Sequence, residues 1–351
     1  MSLAEYIRAM PKAELHVHLE GTVRPETLLE LAAGNGVSLP ASDVEGLRRW
    51  YAFRNFDHFL AIYTVICGCL RQPEDFARVV YEYGRSMAAQ NIRYAEVTFS
   101  PGTHVLRPGG LAWHELLDAV NAGRARARDE FGVEMRWIPD IVRCDPDTAL
   151  TVAEWAASAQ SRAEGVVALG LGGPEVGYPP EWFAEAFALA HRHGLHSNPH
   201  AGETVGPESI WGALRALGAE RIGHGVRAIE DPALLEHLVA QQIPLEVNPT
   251  SNLCLGVYPS YAAHPLKRLV EAGLLVTVNS DDPALFNTTL VDEYRHAVED
   301  CGLSLGDLEE VALNAVRAAY LSPDEKAALI TDFEEAYTRL RAEYGLEETP
   351  E

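Results

Sequence analysis

The 351-residue sequence predicts an α/β fold, a single (β/α)8 TIM barrel domain that spans residues 1–351. Short apolar runs alternate with longer segments of helical periodicity, an order typical of parallel strands joined by crossover helices. Eight such runs occur along the chain, whose length is usual for one barrel. Polar clusters follow several of the runs, as in barrels that carry a site at the carboxyl ends of their strands.

The eight apolar runs define the predicted strands: residues 14–19, 92–99, 134–142, 166–171, 195–199, 221–223, 243–247 and 274–279. Helical periodicity is clearest in residues 181–193 and 232–241, where the apolar side chains form one stripe. An open, doubly wound sheet is the competing fold. No G-x-G-x-x-G motif opens a helix after the first strand, which weakens a dinucleotide-binding interpretation.

Two segments are additional to the eight strands and helices of a minimal barrel. Residues 27–76 form a mostly helical insertion after the first strand, with many aromatic residues between Trp50 and Tyr63. An insertion at this position emerges beside the mouth of a barrel, where it can cover a flat apolar ligand. Burial in a helical core is the simpler interpretation for most of the rings. The segment after Leu303 is helical and acidic, and we expect it to pack outside the barrel as extra C-terminal helices.

The composition excludes several classes of protein. The formal net charge is -23, and such a field repels polyanions, so nucleic acid and anionic membranes are poor partners. The five cysteines contain no C-x-x-C pair, which argues against a disulfide framework or a cysteine zinc site. We recognise no signal peptide or membrane-spanning stretch and expect a cytoplasmic location. The oligomeric state cannot be read from the sequence.

The first predicted strand ends in a His-x-His pair, His16 and His18. Side chains two residues apart on a strand point the same way, so both imidazoles face one space. Neutral imidazoles are good zinc ligands. A lone pair of this kind is as often packed in a core or exposed on a surface, so the rest of the chain decides between these interpretations.

Four later strands also end in polar clusters. These clusters are His200-Ala201-Gly202-Glu203, Gly223-His224-Gly225, Asn248-Pro249-Thr250-Ser251-Asn252 and Ser280-Asp281-Asp282-Pro283. Each alone has an ordinary explanation as a turn or a helix cap. Because the carboxyl ends of parallel barrel strands meet at one mouth, we expect the clusters to share a site with the His-x-His pair.

The chemistry of these side chains assigns their roles. Three imidazoles and one carboxylate, from His16, His18, His200 and Asp281, would hold one zinc ion and leave room for a water molecule, whose pKa zinc lowers to about 7.

Three other residues surround the predicted metal. We expect Glu203 to shuttle a proton, His224 to orient the hydroxide and stabilise developing charge, and Asp282 to hydrogen-bond the substrate.

The fourth predicted strand leads into Gly172-Gly173-Pro174-Glu175 and carries no lysine. Many two-metal barrel hydrolases bridge their metals there with a carboxylated lysine, so its absence favours a single metal. The glycines let a ligand approach the backbone closely.

Together, residues 10–21, 200–203, 223–225 and 280–283 resemble the adenosine/adenine deaminase family of the amidohydrolase superfamily, over about residues 10–320. The resemblance implies one zinc per chain and a small aminopurine substrate, which loses ammonia when water attacks C6 and becomes a 6-oxopurine. It implies that Glu203 donates a proton to the purine N1, that Asp282 binds N7, and that the backbone at Gly173 contacts the N3 side.

Glu20 departs from the common pattern of the family. Adenosine deaminases usually carry Asp at this position, where it contacts the ribose 5′-hydroxyl, and Glu resembles the adenine-specific branch. Residues 248–258, however, are similar to relatives that act on 5′-modified adenine nucleosides, including aminodeoxyfutalosine. We expect Glu20 at the rim beyond the purine and a nucleoside substrate, either adenosine or a 5′-modified form. Deamination of free adenine is the alternative.

Two hypotheses of other classes stay open. A metal hydrolase of the same superfamily could use this site on an amide or an ester. A catalytically inactive binding barrel should have lost a metal ligand or Glu203, and this chain retains them all.

Overall fold

A computed structural model describes residues 3–345 of the chain and contains the predicted barrel. Within this range, eight parallel strands neighbour one another in sequence order. The strands are β1 (Lys12–His18), β2 (Ile92–Phe99), β3 (Glu134–Val142), β4 (Ala168–Gly172), β5 (His196–Ala201), β6 (Ile222–His224), β7 (Leu245–Val247) and β8 (Val276–Val278).

The helices surround this sheet and extend the chain beyond it. They are α1 (Leu3–Ala9), α2 (Pro25–Gly34), α3 (Val44–Trp50), α4 (Phe56–Cys69), α5 (Pro73–Ala89), α6 (Pro101–Val105), α7 (Trp113–Phe131), α8 (Ala149–Ala156), α9 (Ala159–Ala163), α10 (Ala184–Arg192), α11 (Pro207–Ala216), α12 (Pro232–Gln241), α13 (Pro249–Cys254), α14 (Leu266–Glu271), α15 (Pro283–Phe286), α16 (Leu290–Glu299), α17 (Leu305–Ala318) and α18 (Pro323–Tyr344). Short 3-10 segments lie at Glu20–Thr22, Pro146–Thr148, Pro180–Phe183, Val226–Glu230 and Tyr261–Ala263. No helix within residues 3–345 is both long and apolar enough to cross a membrane.

The barrel closes where the segment after β8 meets β1. The N–H of His18 donates to the carbonyl of Asp281 at 2.9 Å, and the N–H of Asp281 donates to the carbonyl of His16 at 3.1 Å. Val17 therefore pairs in parallel with Asp281. This seam brings the His-x-His pair and the acidic cluster after β8 onto adjacent backbone.

Every residue of β1 is buried, as expected for a parallel strand covered on both faces. Leu15 and Val17 belong to the hydrophobic core. The alternate residues Glu14, His16 and His18 are polar, and each contacts at least one polar side chain inside the protein. One strand thus supplies packing on one side and chemistry on the other.

The extra helices lie where the sequence predicts them. α17 packs against both β8 and β1 and so covers the seam from outside, and α18 packs on α17. The insertion after β1 forms α2, α3 and α4 before the chain enters α5. One face of α4 lines the cavity at the barrel mouth, while the ring of Phe59 also stacks on Phe286 with centroids 5.4 Å apart.

Three strands, β4, β7 and β8, begin two residues later than the sequence predicts. Before β4, Val166 forms only an isolated bridge with Trp137. Residues 243 and 244 precede β7 rather than belong to it. The N–H of Ile243 donates to the carbonyl of Leu238 at 3.1 Å and completes the end of α12, and Pro244 has no N–H to offer a neighbouring strand. Residues 274 and 275 likewise precede β8.

Candidate active site

A cavity at the carboxyl ends of the strands brings most of the predicted site residues together. Its lining includes residues that follow or end β1, β4, β5, β6 and β8, namely His18, Gly173, His200, Glu203, His224, Asp281 and Asp282. Convergence of several strand ends on one mouth is how parallel barrels build active sites.

Four candidate metal-binding donors, from His16, His18, His200 and Asp281, lie close together at this mouth. His16, His200 and Asp281 also form, with His224, a group whose ligand atoms all lie within 4.8 Å of one another. His18 Nε2 lies 3.1 Å from His200 Nε2 and 3.4 Å from Asp281 Oδ1. His16 Nε2 lies 3.3 Å from the same carboxylate oxygen. Ligand atoms held at about 2.0–2.1 Å by one tetrahedral zinc would lie roughly 3.4 Å apart. The spacing therefore fits a single metal ion.

Hydrogen bonding supports the same conclusion. His16 Nε2 is buried and forms no hydrogen bond within residues 3–345. Its other ring nitrogen, Nδ1, lies 2.7 Å from Glu246 Oε2. If Nδ1 carries the proton and donates it to the carboxylate, Nε2 keeps a free lone pair that faces the other donors. A metal ion would satisfy an atom that the protein leaves unpaired.

Glu246 is itself held by a buried network. Its Oε1 accepts from Asn198 Nδ2 at 3.2 Å and forms an ion pair with Arg221. Burial alone would raise the pKa of Glu246, but Arg221 and His16 outweigh it and hold the pKa below its ordinary value. The carboxylate is therefore charged and fixed behind the metal-binding imidazole.

His224 lies beside the metal-binding donors. Its Nε2 is 3.8 Å from Asp281 Oδ2 and 3.8 Å from Glu203 Oε2. Its Nδ1 lies 3.2 Å from Asn248 Nδ2. Because the amide N–H donates, Nδ1 is the acceptor and the imidazole proton is on Nε2. Burial lowers the pKa of His224 to about 4, so the ring is neutral near pH 7. A neutral Nε2–H aimed into the cavity can stabilise negative charge that develops there.

Glu203 is buried in the same cavity. Burial, with Asp281 and Glu175 nearby, raises the pKa of its carboxyl well above the ordinary value. A raised pKa favours the protonated form, and a protonated carboxyl can give a proton to a basic ring nitrogen.

The loop that carries Glu203 wraps around Glu175. The Glu175 carboxylate accepts backbone N–H bonds from Gly202 at 2.8 Å, Glu203 at 2.9 Å and Thr204 at 2.7 Å. The Ser209 hydroxyl also donates to it. Successive N–H groups that converge on one carboxylate fix the loop after β5, and with it the position of the Glu203 side chain.

Asp282 points into the cavity next to Gly21. A Cβ at Gly21 would lie 1.9 Å from Asp282 Oδ1, so only glycine leaves room for this side chain. Asp282 Oδ1 is buried and has no hydrogen-bond partner in the described chain. Burial and the neighbouring Asp281 raise the pKa of Asp282 well above its usual range. The oxygen is available to a ligand.

Three of the residues that line the cavity have left-handed backbone. Gly173 has φ of 87°, where glycine is readily accepted, and it presents its main chain to the cavity. His224 and Asp281 have φ of 61° and 62°, a conformation that costs residues with a Cβ of order 1–3 kcal/mol. The strain therefore lies at a candidate metal-binding carboxylate, Asp281, and at the imidazole of His224 next to it.

The structure places Glu20 behind the cavity wall. Its carboxylate is fully buried, with Oε1 2.9 Å from His104 Nε2 and 3.1 Å from the N–H of Ser100. Oε2 accepts from the Tyr63 hydroxyl at 3.1 Å. Burial opposes ionisation, but His104 outweighs it and lowers the pKa of Glu20. Glu20 contacts the cavity through Ser100 and Tyr63, which both line it.

Sequence reasoning missed three carboxylates with important positions: Asp140, which lines the cavity at β3, Glu175 and Glu246. A signal was present for two of them. Asp140 and Glu246 are isolated acidic residues within apolar strands, where a charge is rare without a partner or a function.

The chain is similar to known deaminases in sequence. The family model described as Adenosine deaminase matches residues 11–336. An aminodeoxyfutalosine deaminase from Streptomyces coelicolor is 42% identical over 337 residues, which cover 96% of this chain and 86% of that protein. An adenine deaminase from Cupriavidus necator is 41% identical, covering 94% of this chain and 93% of its own.

A solved structure shares the architecture and contains a metal. It is an amidohydrolase from Burkholderia ambifaria with bound zinc, which superposes with a TM-score of 0.89 and 27% identity over 99% of this chain and 96% of its own.

Proposed function

The chain belongs to the adenosine deaminase family, and from that premise we propose that it hydrolytically deaminates a 6-aminopurine nucleoside with one zinc ion per chain. In this reaction water adds at C6, ammonia leaves and a 6-oxopurine nucleoside is formed. The observation that carries the proposal is the convergence of four metal-binding donors beside a buried carboxyl and a neutral imidazole.

His16, His18, His200 and Asp281 would hold the zinc ion. The chemistry that zinc supplies when bound is Lewis acidity, which makes water nucleophilic near neutral pH. Glu203 gives a proton to the purine N1, which draws electrons away from C6. His224 donates from Nε2 toward the oxygen that attacks, because its Nδ1 is engaged by Asn248.

The purine is oriented by groups at three other positions. The carboxyl of Asp282, whose pKa burial raises, donates in its protonated form to N7 through the Oδ1 that has no protein partner. Gly173 offers its backbone to the N3 side, since its φ of 87° turns the chain without a side chain in the way. These contacts hold C6 toward the metal-binding donors and leave N9 directed away from them.

The cavity lining favours an uncharged nucleoside. Apolar side chains of Phe56, Phe59 and Leu60 form the wall that α4 contributes. No Lys or Arg within residues 3–345 lines the cavity, so a phosphate group would lack a cationic partner there. The Streptomyces relative named above supports a 5′-modified adenosine, and the Cupriavidus relative supports free adenine as the second candidate.

The net charge of -23 supports a small substrate rather than nucleic acid or a membrane surface, and we keep the cytoplasm as the expected location.

The test compares adenine, adenosine, methylthioadenosine and aminodeoxyfutalosine at equal concentrations of zinc-loaded protein. We expect ammonia release and an absorbance change with nucleosides, and kcat/KM on 5′-modified forms at least equal to that on adenosine. A preference of more than about tenfold for free adenine would replace this proposal with adenine deamination. Ammonia release from none of the four would indicate a different hydrolase reaction.

A further inference from the structure

One arc of the barrel mouth has no role in the proposed reaction. The metal-binding donors and the ring contacts come from the ends of β1, β4, β5, β6 and β8. The ends of β2 and β3 also reach the cavity, where they contribute Ser100 and Asp140, and Thr103 follows from α6. Val142 and Cys144 line the cavity from the same arc, so Ser100, Thr103 and Asp140 are polar groups in a wall that is otherwise apolar.

Asp140 is the unusual member of this wall. Its side chain is 3% exposed, and its Oδ1 forms no hydrogen bond in the described part of the chain. A Cβ added to Gly172 would lie 2.5 Å from Asp140 Oδ2, so the glycine on β4 makes room for the carboxyl. A buried carboxyl oxygen without a partner is unfavourable. Because Asp140 lines the cavity, a ligand hydroxyl or a water molecule there can supply the partner after a small movement of the side chain.

The order of the strands shows which part of the substrate faces this wall. Asp282 after β8 is assigned to N7, Gly173 after β4 to N3, and Glu203 after β5 to N1. In a purine, N9 lies between N7 and N3 on the edge away from C6. In the barrel, the arc from β8 to β4 that does not pass Glu203 after β5 runs through β1, β2 and β3. On this arc β1 carries His16 and His18, so the ends of β2 and β3 are the ones left to face the N9 substituent. The substituent on N9 therefore extends toward Ser100 and Asp140.

We propose that Asp140 is a specificity-determining residue that accepts a hydrogen bond from a ribose hydroxyl of the substrate. The inference rests on the proposed function and adds that the sugar is recognised by β3. A ribose offers two adjacent hydroxyls, and this wall offers one carboxyl and two hydroxyl side chains as hydrogen-bond partners. A free base offers only its N9–H at this position and would leave most of these groups without a partner. Burial, with Glu20 nearby, raises the pKa of Asp140 to about 7, although Ser100 opposes the shift, and both protonation states of the carboxyl retain an acceptor oxygen.

The test measures the activity of each of three proteins on each of four substrates. The parent protein, Asp140→Ala and Asp140→Asn are assayed with zinc on adenosine, 2′-deoxyadenosine, 3′-deoxyadenosine and adenine. We expect Asp140→Ala to lower kcat/KM on adenosine by roughly 10- to 100-fold, because a buried hydrogen bond to a carboxylate is lost. The same variant should change activity by less than about threefold on the deoxynucleoside that lacks the bonded hydroxyl and on adenine. Asp140→Asn keeps an acceptor oxygen and should show a smaller loss.

Two controls separate recognition from folding. Asp145→Ala changes an exposed acidic residue just beyond β3 and should leave all four activities unchanged. If Asp140→Ala does not fold, the parent protein still tests the idea, since it should discriminate against one deoxynucleoside by the same factor. Zinc content and thermal midpoint are measured for every variant.

Three results would overturn the inference. They are an equal loss on all four substrates, a larger loss on adenine than on adenosine, and no preference of the parent for adenosine over either deoxynucleoside. Each of these presupposes that the parent releases ammonia from a nucleoside. A parent without that activity contradicts the proposed function itself, so the two failures are distinct.

Discussion

His16 Nδ1 and Glu246 Oε2 lie 2.7 Å apart in the buried interior of the barrel, on strands that come from opposite ends of the chain. The contact fixes which ring nitrogen of His16 faces the metal-binding donors. It also raises the basicity of that nitrogen, because the carboxylate stabilises positive charge on the ring.

Loss of this contact should weaken metal binding. We expect Glu246→Gln to lower zinc affinity by about 10- to 100-fold, measured by competition with a chelator of known affinity. The matched control is Glu220→Gln, which removes a similar 2.7 Å contact to His196 Nδ1 at the surface and should not change zinc affinity. Because Glu246 also pairs with buried Arg221, the thermal midpoint is recorded alongside. Unchanged affinity in Glu246→Gln would show that His16 is oriented by other contacts.

The metal stoichiometry follows from the donor set. Four convergent donors predict one tightly bound zinc per chain by elemental analysis. His16→Ala or Asp281→Ala should lower both metal content and turnover, and thorough chelation should abolish activity. Two stoichiometric metals per chain, or full activity after chelation, would contradict this assignment.

Glu203 can be tested without removing the metal. Glu203→Gln fills the same space but cannot donate an acidic proton, so kcat should fall by roughly 10²–10⁴ while zinc content is retained. Inhibition by a 6-oxopurine nucleoside should persist, since the binding contacts are intact. A variant within a few-fold of the parent would mean that another group protonates the ring.

The position of Glu20 predicts that it acts on specificity through Tyr63. The Tyr63 hydroxyl donates to Glu20 Oε2 at 3.1 Å, and Tyr63 lines the cavity. Glu20→Asp shortens the carboxylate and Tyr63→Phe removes the hydroxyl, so each should change the ratio of kcat/KM on adenosine to that on adenine in the same direction.

A double-mutant cycle decides whether the two residues act together. We expect the effect of Glu20→Asp to be largely absent when Tyr63 is already Phe. Full additivity would indicate that Glu20 contacts the substrate by a separate route. Unchanged ratios in both single variants would remove Glu20 from the specificity determinants.

Glu175 should matter for both stability and turnover. Glu175→Gln replaces a carboxylate that accepts several charge-assisted bonds, and each of these contributes about 1.5–3 kcal/mol. We expect a lower urea midpoint and a lower kcat, because the loop that carries Glu203 loses its anchor. Glu185→Gln, an exposed change on α10, is the control and should alter neither. A loss of stability without any change in kcat would show that the loop keeps its conformation unaided.

The features that sequence reasoning predicted are local ones. The alternation of His16 and His18 follows from the two-residue period of a strand, and the polar clusters lie directly after apolar runs. Barrel topology then needs only the rule that carboxyl ends converge, and the cavity lining agrees for His200, Glu203 and Asp281. All of this information is carried by neighbours in the chain.

The features that sequence reasoning did not predict depend on contacts between residues that are distant in the chain. The carboxylate of Glu246 contacts both His16 and Arg221. These contacts depend on which residues of neighbouring and distant strands lie at the same height in the barrel. The orientation of Glu20 is similarly hidden, because the 3-10 segment Glu20–Thr22 follows the strand and turns the side chain away from the two-residue alternation. Neither the two-residue period of a strand nor the motif around His16 and His18 predicts this change in side-chain direction.

The seam between β1 and the segment after β8 has a consequence for the synthesis of the protein. His16 and His18 leave the ribosome early and Asp281 leaves it late, yet hydrogen bonds between their backbones close the barrel. A metal ion held by His16, His18 and Asp281, as we propose, would therefore join the first strand to the segment after the last one. A nascent chain that lacks β8 would be missing one of these ligands, so tight metal binding would arise only once the barrel is complete.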